Sequence, residues 1–152
     1  MSKSIIEEKS FRFAVRTVNL YKYLYCKNEY VMSKQILRSG TSIGANVSEA
    51  LEAQSLKDYT AKMGIALKEC AETIYWIRLL CQTNYITSEQ SSSLLKDAYE
   101  LKKILSSIII TTKNKLSSGD QYLSTLNSQL NMEDYYAALQ FPFTQKRGLH
   151  SQ

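Results

Sequence analysis

A chain of 152 residues, 44% hydrophobic and 22% charged, has the size and composition of a single globular domain and is too short for a multidomain enzyme. One proline and five glycines leave few breaks, which favours long helices over a fold of many short strands. Nineteen Lys and Arg against fourteen Asp and Glu give a net charge of +5, and a single histidine three residues from the C-terminus, His150, excludes a histidine base or metal ligand in a rigid pocket.

The first helical pattern runs from Ile5 to Lys27. At 100° per residue, Phe13, Ala14, Thr17, Val18, Leu20, Tyr21, Leu24 and Tyr25 share one apolar arc. Lys9, Arg12, Arg16, Asn19, Tyr23 and Lys27 lie opposite. Tyr21 and Tyr25 are thereby expected in the core, and Tyr23 on a basic back. Asn28 and Glu29 break the pattern, and Ser33 is the expected N-cap of a second helix.

In that second helix Ile36, Gly40, Ile43, Val47 and Ala50 recur at steps of four and three and form a buried stripe. A glycine inside a helix costs about 1 kcal/mol relative to alanine. Gly40 and Gly44, four apart, therefore suggest close approach of a neighbouring helix; a loop at Ser39 to Ser42 is the competing reading. Arg38, Ser42, Asn46 and Glu49 follow one another on the polar face, as a buried hydrogen-bond network, a subunit contact or a merely solvated strip.

Ser55, with Asp58 three residues on, caps a third helix, in which Tyr59, Met63, Ala66, Cys70, Thr73, Ile77 and Leu80 repeat in the same rhythm. Asp58 and Lys62 make an i,i+4 surface pair. Asn84 ends that helix. Thr87 and Gln90 form a capping box for a fourth, with Leu94, Ala98, Leu101, Leu105, Ile108 and Thr112 facing inward. Four long amphipathic helices with short connections predict an all-α, antiparallel up-down-up-down four-helix bundle over residues 1–118. Ser117, Ser118, Gly119 and Asp120 mark its expected end. Residues 119–152 form a tail with one short helical pattern and the aromatics Tyr135, Tyr136, Phe141 and Phe143. That tail is either a disordered extension or a segment that docks on another protomer or a protein partner.

Cys26, Cys70 and Cys81 lack the spacing of a metal site or disulfide framework, and no signal pattern or membrane-length apolar run is present, so a soluble cytoplasmic protein is expected. Glu69 and Glu72, one turn apart, are read as a solvated pair rather than a metal site, because bundle metal sites also need histidines from other helices. With no nucleophile beside a base, the chain is read as non-enzymatic, without cofactor or metal.

The charge is unevenly placed. Residues 1–38 hold eight basic residues against Glu7, Glu8 and Glu29, which is the whole +5 surplus. Basic patches attract polyanions by counterion release, so nucleic acid, RNA or DNA, is the first partner to consider. The run Tyr21-Lys-Tyr-Leu-Tyr-Cys-Lys27, followed by Tyr30 and Lys34, interleaves rings and cations as single-strand stacking platforms do. The candidate surface comprises Lys9, Arg12, Arg16, Tyr23 and Lys27, extended by Lys34 and Arg38. The candidate helix-packing or subunit-contact motif is Gly40, Ser42, Gly44, Asn46 and Glu49.

The segment Arg38-Ser-Gly-Thr-Ser-Ile-Gly-Ala-Asn-Val-Ser-Glu-Ala50, together with Ala66-Leu-Lys-Glu-Cys-Ala-Glu-Thr-Ile-Tyr-Trp-Ile-Arg-Leu-Leu80, closely resembles the bacterial four-helix-bundle proteins encoded by intervening sequences within 23S ribosomal RNA genes, over roughly residues 8–115. The resemblance implies a ring-shaped homopentamer with no known catalytic activity. Looser relatives, the accessory proteins of diversity-generating retroelements, look like the same bundle and are thought to bind nucleic acid and a reverse transcriptase, which makes such an enzyme a candidate protein partner. The family supplies no established binding residues, so no residue role follows from the likeness, and the tail after Gly119 is longer than its pattern.

Overall fold

The computed structural model describes residues 4–123, with side chains to Gly119. Ser4 opens the first helix, α1 (Ile5–Cys26), its hydroxyl accepting from the Glu7 N–H at 3.2 Å. The chain then forms α2 (Met32–Leu51), α3 (Leu56–Gln82) and α4 (Ser88–Leu123). Among the described residues there is no strand. Each helix packs against the next in sequence, and α4 returns to touch α1, which closes the four-helix bundle.

The ends of α1 and α3 share one device. Asn28 and Asn84 take left-handed backbone conformations, with φ of 59° and 63°. The amide of Glu29 then donates back to the Leu24 carbonyl at 3.1 Å and that of Asn28 to Tyr25 at 3.0 Å; Tyr85 and Asn84 repeat this onto Leu80 and Cys81. Orphan carbonyls at both helix ends are satisfied in this way, and asparagine tolerates the required φ. The capping expected for α3 and α4 is present. Ser55 Oγ accepts from the Asp58 amide at 3.1 Å, and Thr87 and Gln90 bond each other reciprocally at 3.1 and 2.9 Å.

The start of α2 differs from expectation. Ser33 is buried one residue inside the helix, and the N-cap Val31 offers no side-chain bond. Glu29 does the capping: Oε1 accepts from the amides of Val31 and Met32, at 3.0 and 2.8 Å, and Oε2 from that of Ser33. Burial raises the pKa of Glu29, but the amides of Met32, Ser33 and Val31 outweigh it, so the group sits below its ordinary value.

Phe13 and Leu24 of α1, Ile36, Ile43 and Val47 of α2, Met63, Ile77 and Leu80 of α3 and Leu101 and Leu105 of α4 fill the core. The buried arc of α1 is rotated from the expected one by roughly half of the 100° step between residues: Ile6 and Ser10 lie inside it, while Tyr21 is only half-buried and Tyr25 is 51% exposed. Tyr25 is therefore not a core residue.

Gly40 and Gly44 sit within α2, with no loop at Ser39 to Ser42. A Cβ on Gly40 would stand 2.5 Å from Thr17 Oγ1 and Cγ2, and one on Gly44 would stand 3.3 Å from the Ser10 carbonyl oxygen, so α2 takes the Thr17 side chain against Gly40 and meets the α1 backbone at Gly44. Gly64 of α3 has no such reason, because a Cβ there meets nothing within 4 Å. Gly64→Ala is expected to raise stability by about 1 kcal/mol, read from the urea midpoint. A loss instead would mean that the site is covered in solution.

The helix α4 continues through Ser117 to Asp120, where the sequence places a boundary. Ser117 and Ser118 donate to the carbonyls of Lys113 and Asn114 one turn earlier, and Leu116 still packs against the core. Hydroxyls bonded back to their own helix do not interrupt it. The tail aromatics Tyr135, Tyr136, Phe141 and Phe143, and His150, lie outside the described residues.

Candidate nucleic-acid interface

The rotation of α1 decides what its basic residues face. Lys9 and Arg16 stand at the flank of the buried arc, beside α4. Lys9 Nζ pairs with Glu100 at 2.9 Å. Arg16 donates to Asp97 Oδ2 at 2.5 Å, to the Ser93 carbonyl at 3.1 Å and to Ser93 Oγ at 2.8 Å. Three bonds from one guanidinium fork tie α1 to α4 along their otherwise thinnest contact. Among the described residues Arg12 pairs only with Glu8 on its own helix, at 3.9 Å, and it is exposed.

On α2, Arg38 pairs with Glu72 of α3 at 2.7 Å, and Glu49 pairs with Lys62. The bond to Glu49 raises the Lys62 pKa, with a smaller contribution from Asp58, so Lys62 serves the α2–α3 contact rather than the expected pair within α3. Between these ends Asn46 Nδ2 donates to the Ser42 carbonyl and hydroxyl, at 2.9 and 3.1 Å, and the hydroxyls of Ser39 and Thr73 are hydrogen-bonded at 2.9 Å. The polar strip is thus a ladder along the α2–α3 seam. Glu72 also accepts from the Trp76 indole at 3.2 Å, and Glu69 is half-buried with Oε2 shielded and unbonded, so these carboxylates are not the simple solvated pair expected. Among the described residues no three His, Cys, Asp or Glu side chains are grouped to hold a metal.

Cys70 is buried, its thiol donating to the Ala98 carbonyl at 3.2 Å, and burial pushes its pKa up to about 11. A thiol so rarely ionised is a packing residue.

Of the basic residues in the first 38, Lys22, Lys27 and Lys34 stand where α1 passes into α2. Lys27 lies 4.6 Å from the centre of the Tyr23 ring, on the α4 side. Hydrogen bonding from Lys27 and then from Gln90 holds the Tyr23 phenol below its ordinary pKa. Lys22 and Lys34 are exposed, and among the described residues neither they nor Lys27 have a carboxylate partner. The contacts of Thr17 with Gly40 and of Ser10 with Gly44 set an antiparallel register, which brings Lys22 level with the first turn of α2, where Lys34 stands. The rings of Tyr25 and Tyr30 meet edge to face at 4.9 Å, and Tyr21 lies 5.9 Å from Tyr25. Tyr30 donates from its hydroxyl to Asn28 Oδ1 at 2.7 Å.

Of the seven candidate residues, Tyr23, Lys27 and Lys34 lie at this end of the bundle, Lys9, Arg16 and Arg38 are committed to inter-helix ion pairs, and Arg12 stands apart. Lys22, Tyr25 and Tyr30, part of the ring-and-lysine run but not of the seven candidates, join the end. The alternation of rings and lysines was the available signal; a misplaced helical phase assigned Tyr25 to the core.

Residues 2–107 match the family described as 23S rRNA-intervening sequence protein. The chain belongs to that family. A crystal structure of a protein of unknown function from the S23 ribosomal protein family of Bacteroides thetaiotaomicron is 57% identical, with a TM-score of 0.69, over 69% of this chain and 98% of that one. No curated protein matches. The family match ends at residue 107, inside α4, so the last part of that helix and the tail lie beyond it. No helix among the described residues is long and apolar enough to cross a membrane.

Proposed function

We propose that the protein is a non-enzymatic, homopentameric bundle of the cytoplasm that holds RNA or DNA by its phosphate backbone, through the basic end of α1 and the first turn of α2. The contrast among the cations of α1, α2 and the turn between them carries this reading. Lys9, Arg16 and Arg38 are neutralised by Glu100, Asp97 and Glu72, whereas Lys22, Lys27 and Lys34 have no acid partner among the described residues and share one end. Glu29, the acid in that stretch, has both oxygens occupied by backbone amides. An uncompensated cluster keeps its counterions until a polyanion displaces them. Self-assembly is supported by the outward face of α1, where Phe11 is 68% and Val15 46% exposed beside Ala14, Gly44 and Ala45; apolar surface of this kind suits another subunit.

Replacing Lys22, Lys27 and Lys34 together by glutamate is expected to weaken binding to structured RNA at low salt by on the order of a hundred-fold, and to lower the slope of log affinity against log salt by about two to three. Fluorescence anisotropy measures both. Since none of the three makes an ion pair among the described residues, the fold should survive, which circular dichroism checks. Unchanged affinity in this variant, or a wild type that binds no nucleic acid in 50 mM salt, would sink the reading (about 50 mM being a salt at which such contacts are strong). Sedimentation of the free protein tests the pentamer separately.

A further inference from the structure

We infer that the α1–α2 corner is a stacking site for single-stranded nucleic acid, with Tyr25 and Tyr30 as base platforms and Lys22 and Lys34 as phosphate contacts. This rests on the backbone-binding reading above and adds a strand class to it.

Large aromatic rings on a surface need a reason, because each leaves apolar area in water. Tyr25 is 51% and Tyr30 44% exposed. Rings set edge to face do not cover each other fully, and their exposed surface can meet a base. Tyr30 is also anchored: its hydroxyl bonds Asn28, whose left-handed backbone makes the turn, and the next two amides are gripped by Glu29. A ring held before the ligand arrives loses little freedom on binding. Lys22 precedes Tyr25 by one helical turn and so shares its face, and Lys34 stands on the facing turn of α2. Tyr21, half-buried beside Tyr25, continues the row of rings towards α2.

Duplexes cannot use such a platform, since their bases are already stacked on one another. Bases of a single strand can stack on it whatever their sequence. A row of rings flanked by cations, with Glu29 turned onto backbone amides, fits a single strand better than an apolar protein surface, which would leave the two ammonium groups desolvated without partners.

The experiment compares full-length protein with Tyr25→Ala/Tyr30→Ala and Tyr25→Phe/Tyr30→Phe variants, by anisotropy, on an unstructured oligouridine and on an RNA duplex of the same length. The alanine pair is expected to lose about ten-fold or more in affinity for the single strand and to keep its duplex affinity, while the phenylalanine pair, which retains both rings, binds both like the wild type. Equal loss on strand and duplex, or no loss on the strand, overturns the stacking site while leaving the backbone reading in place. If the lysine-to-glutamate variant also binds as the wild type does, that reading falls too. Sedimentation of the alanine pair covers the other occupant: a change of oligomer mass assigns the rings to a subunit interface and overturns the proposal.

Discussion

Gly40→Ala is expected to destabilise the protein by about 1–3 kcal/mol, although in an isolated helix the same change would help by about 1 kcal/mol. The added methyl group would stand 2.5 Å from both Oγ1 and Cγ2 of Thr17 and 3.0 Å from its Cβ. Thr17 has little room to withdraw. It is buried, β-branched and bonded through Oγ1 to the Phe13 carbonyl at 2.9 Å. The two helices must therefore separate, and the core contacts of Phe13, Ile36 and Ile43 loosen with them. Gly44→Ala should cost less, because its nearest neighbour, the Ser10 carbonyl oxygen, is 3.3 Å away and the gain in helix propensity offsets part of the strain. Urea unfolding of the two variants checks the order. Adding Thr17→Ala to Gly40→Ala should recover part of the loss, since it removes both atoms at 2.5 Å and leaves only the Cβ contact. Additive losses in that double variant would show that the tightness at Gly40 has another source.

The buried stripes of α2 and α3 were legible because a period of three and four is the direct image of a helix with one side in water, and residues such as Ile36, Val47, Met63 and Ile77 occupy only that side. The two glycines were legible for a related reason: a costly residue placed twice at helical spacing implies a contact. The α1 arc was less so. Ala14, Val18 and Tyr25 are apolar enough to pull the expected centre of the arc away from Ser10 and Ile6, and a serine satisfied by the Glu7 carbonyl at 3.1 Å does not announce itself as buried. That modest rotation changed the functional reading most. It moved Lys9 and Arg16 from a free basic back to the seam with α4, and Tyr25 from the core to the surface. Ion pairs between helices are invisible to a single-helix projection, because Glu100 and Asp97 lie far along the chain from their partners. The cap of α2 was missed on similar grounds. Expectation looked for a hydroxyl next to the helix, whereas the acceptor is a longer side chain reaching forward from Glu29.

Glu29→Ala is the second substitution with a large expected effect, a loss of about 1–3 kcal/mol, because it leaves the amides of Val31, Met32 and Ser33 without the acceptor they share. Solvent cannot replace it easily, since Glu29 is only 5% exposed. Glu29→Gln should cost less, as one carbonyl oxygen remains to accept while the favourable charge at the helix start is lost. The pH dependence gives the sign. Burial alone would raise the Glu29 pKa, but the three amide bonds favour the ionised form more strongly, so the folded value lies below the ordinary 4.5. A carboxyl with a depressed folded pKa stabilises the fold fully at pH values above its unfolded pKa and loses that contribution as pH falls through the folded one. The stability gap between wild type and Glu29→Gln is therefore expected to be constant near neutrality and to shrink below pH 4.5. Urea melts at neutral and acidic pH measure it, and a gap that persists undiminished in acid would show that the charge of Glu29 is not what caps α2. The same carboxylate holds the turn that presents Tyr30. Loosening it should weaken single-strand binding along with stability, even though removing an acid from a basic corner would by charge alone strengthen the attraction to phosphate. Which of the two prevails in Glu29→Gln separates an ordered platform from a diffuse field: weaker binding follows if the ring must be held in place, and tighter binding if the lysines alone suffice.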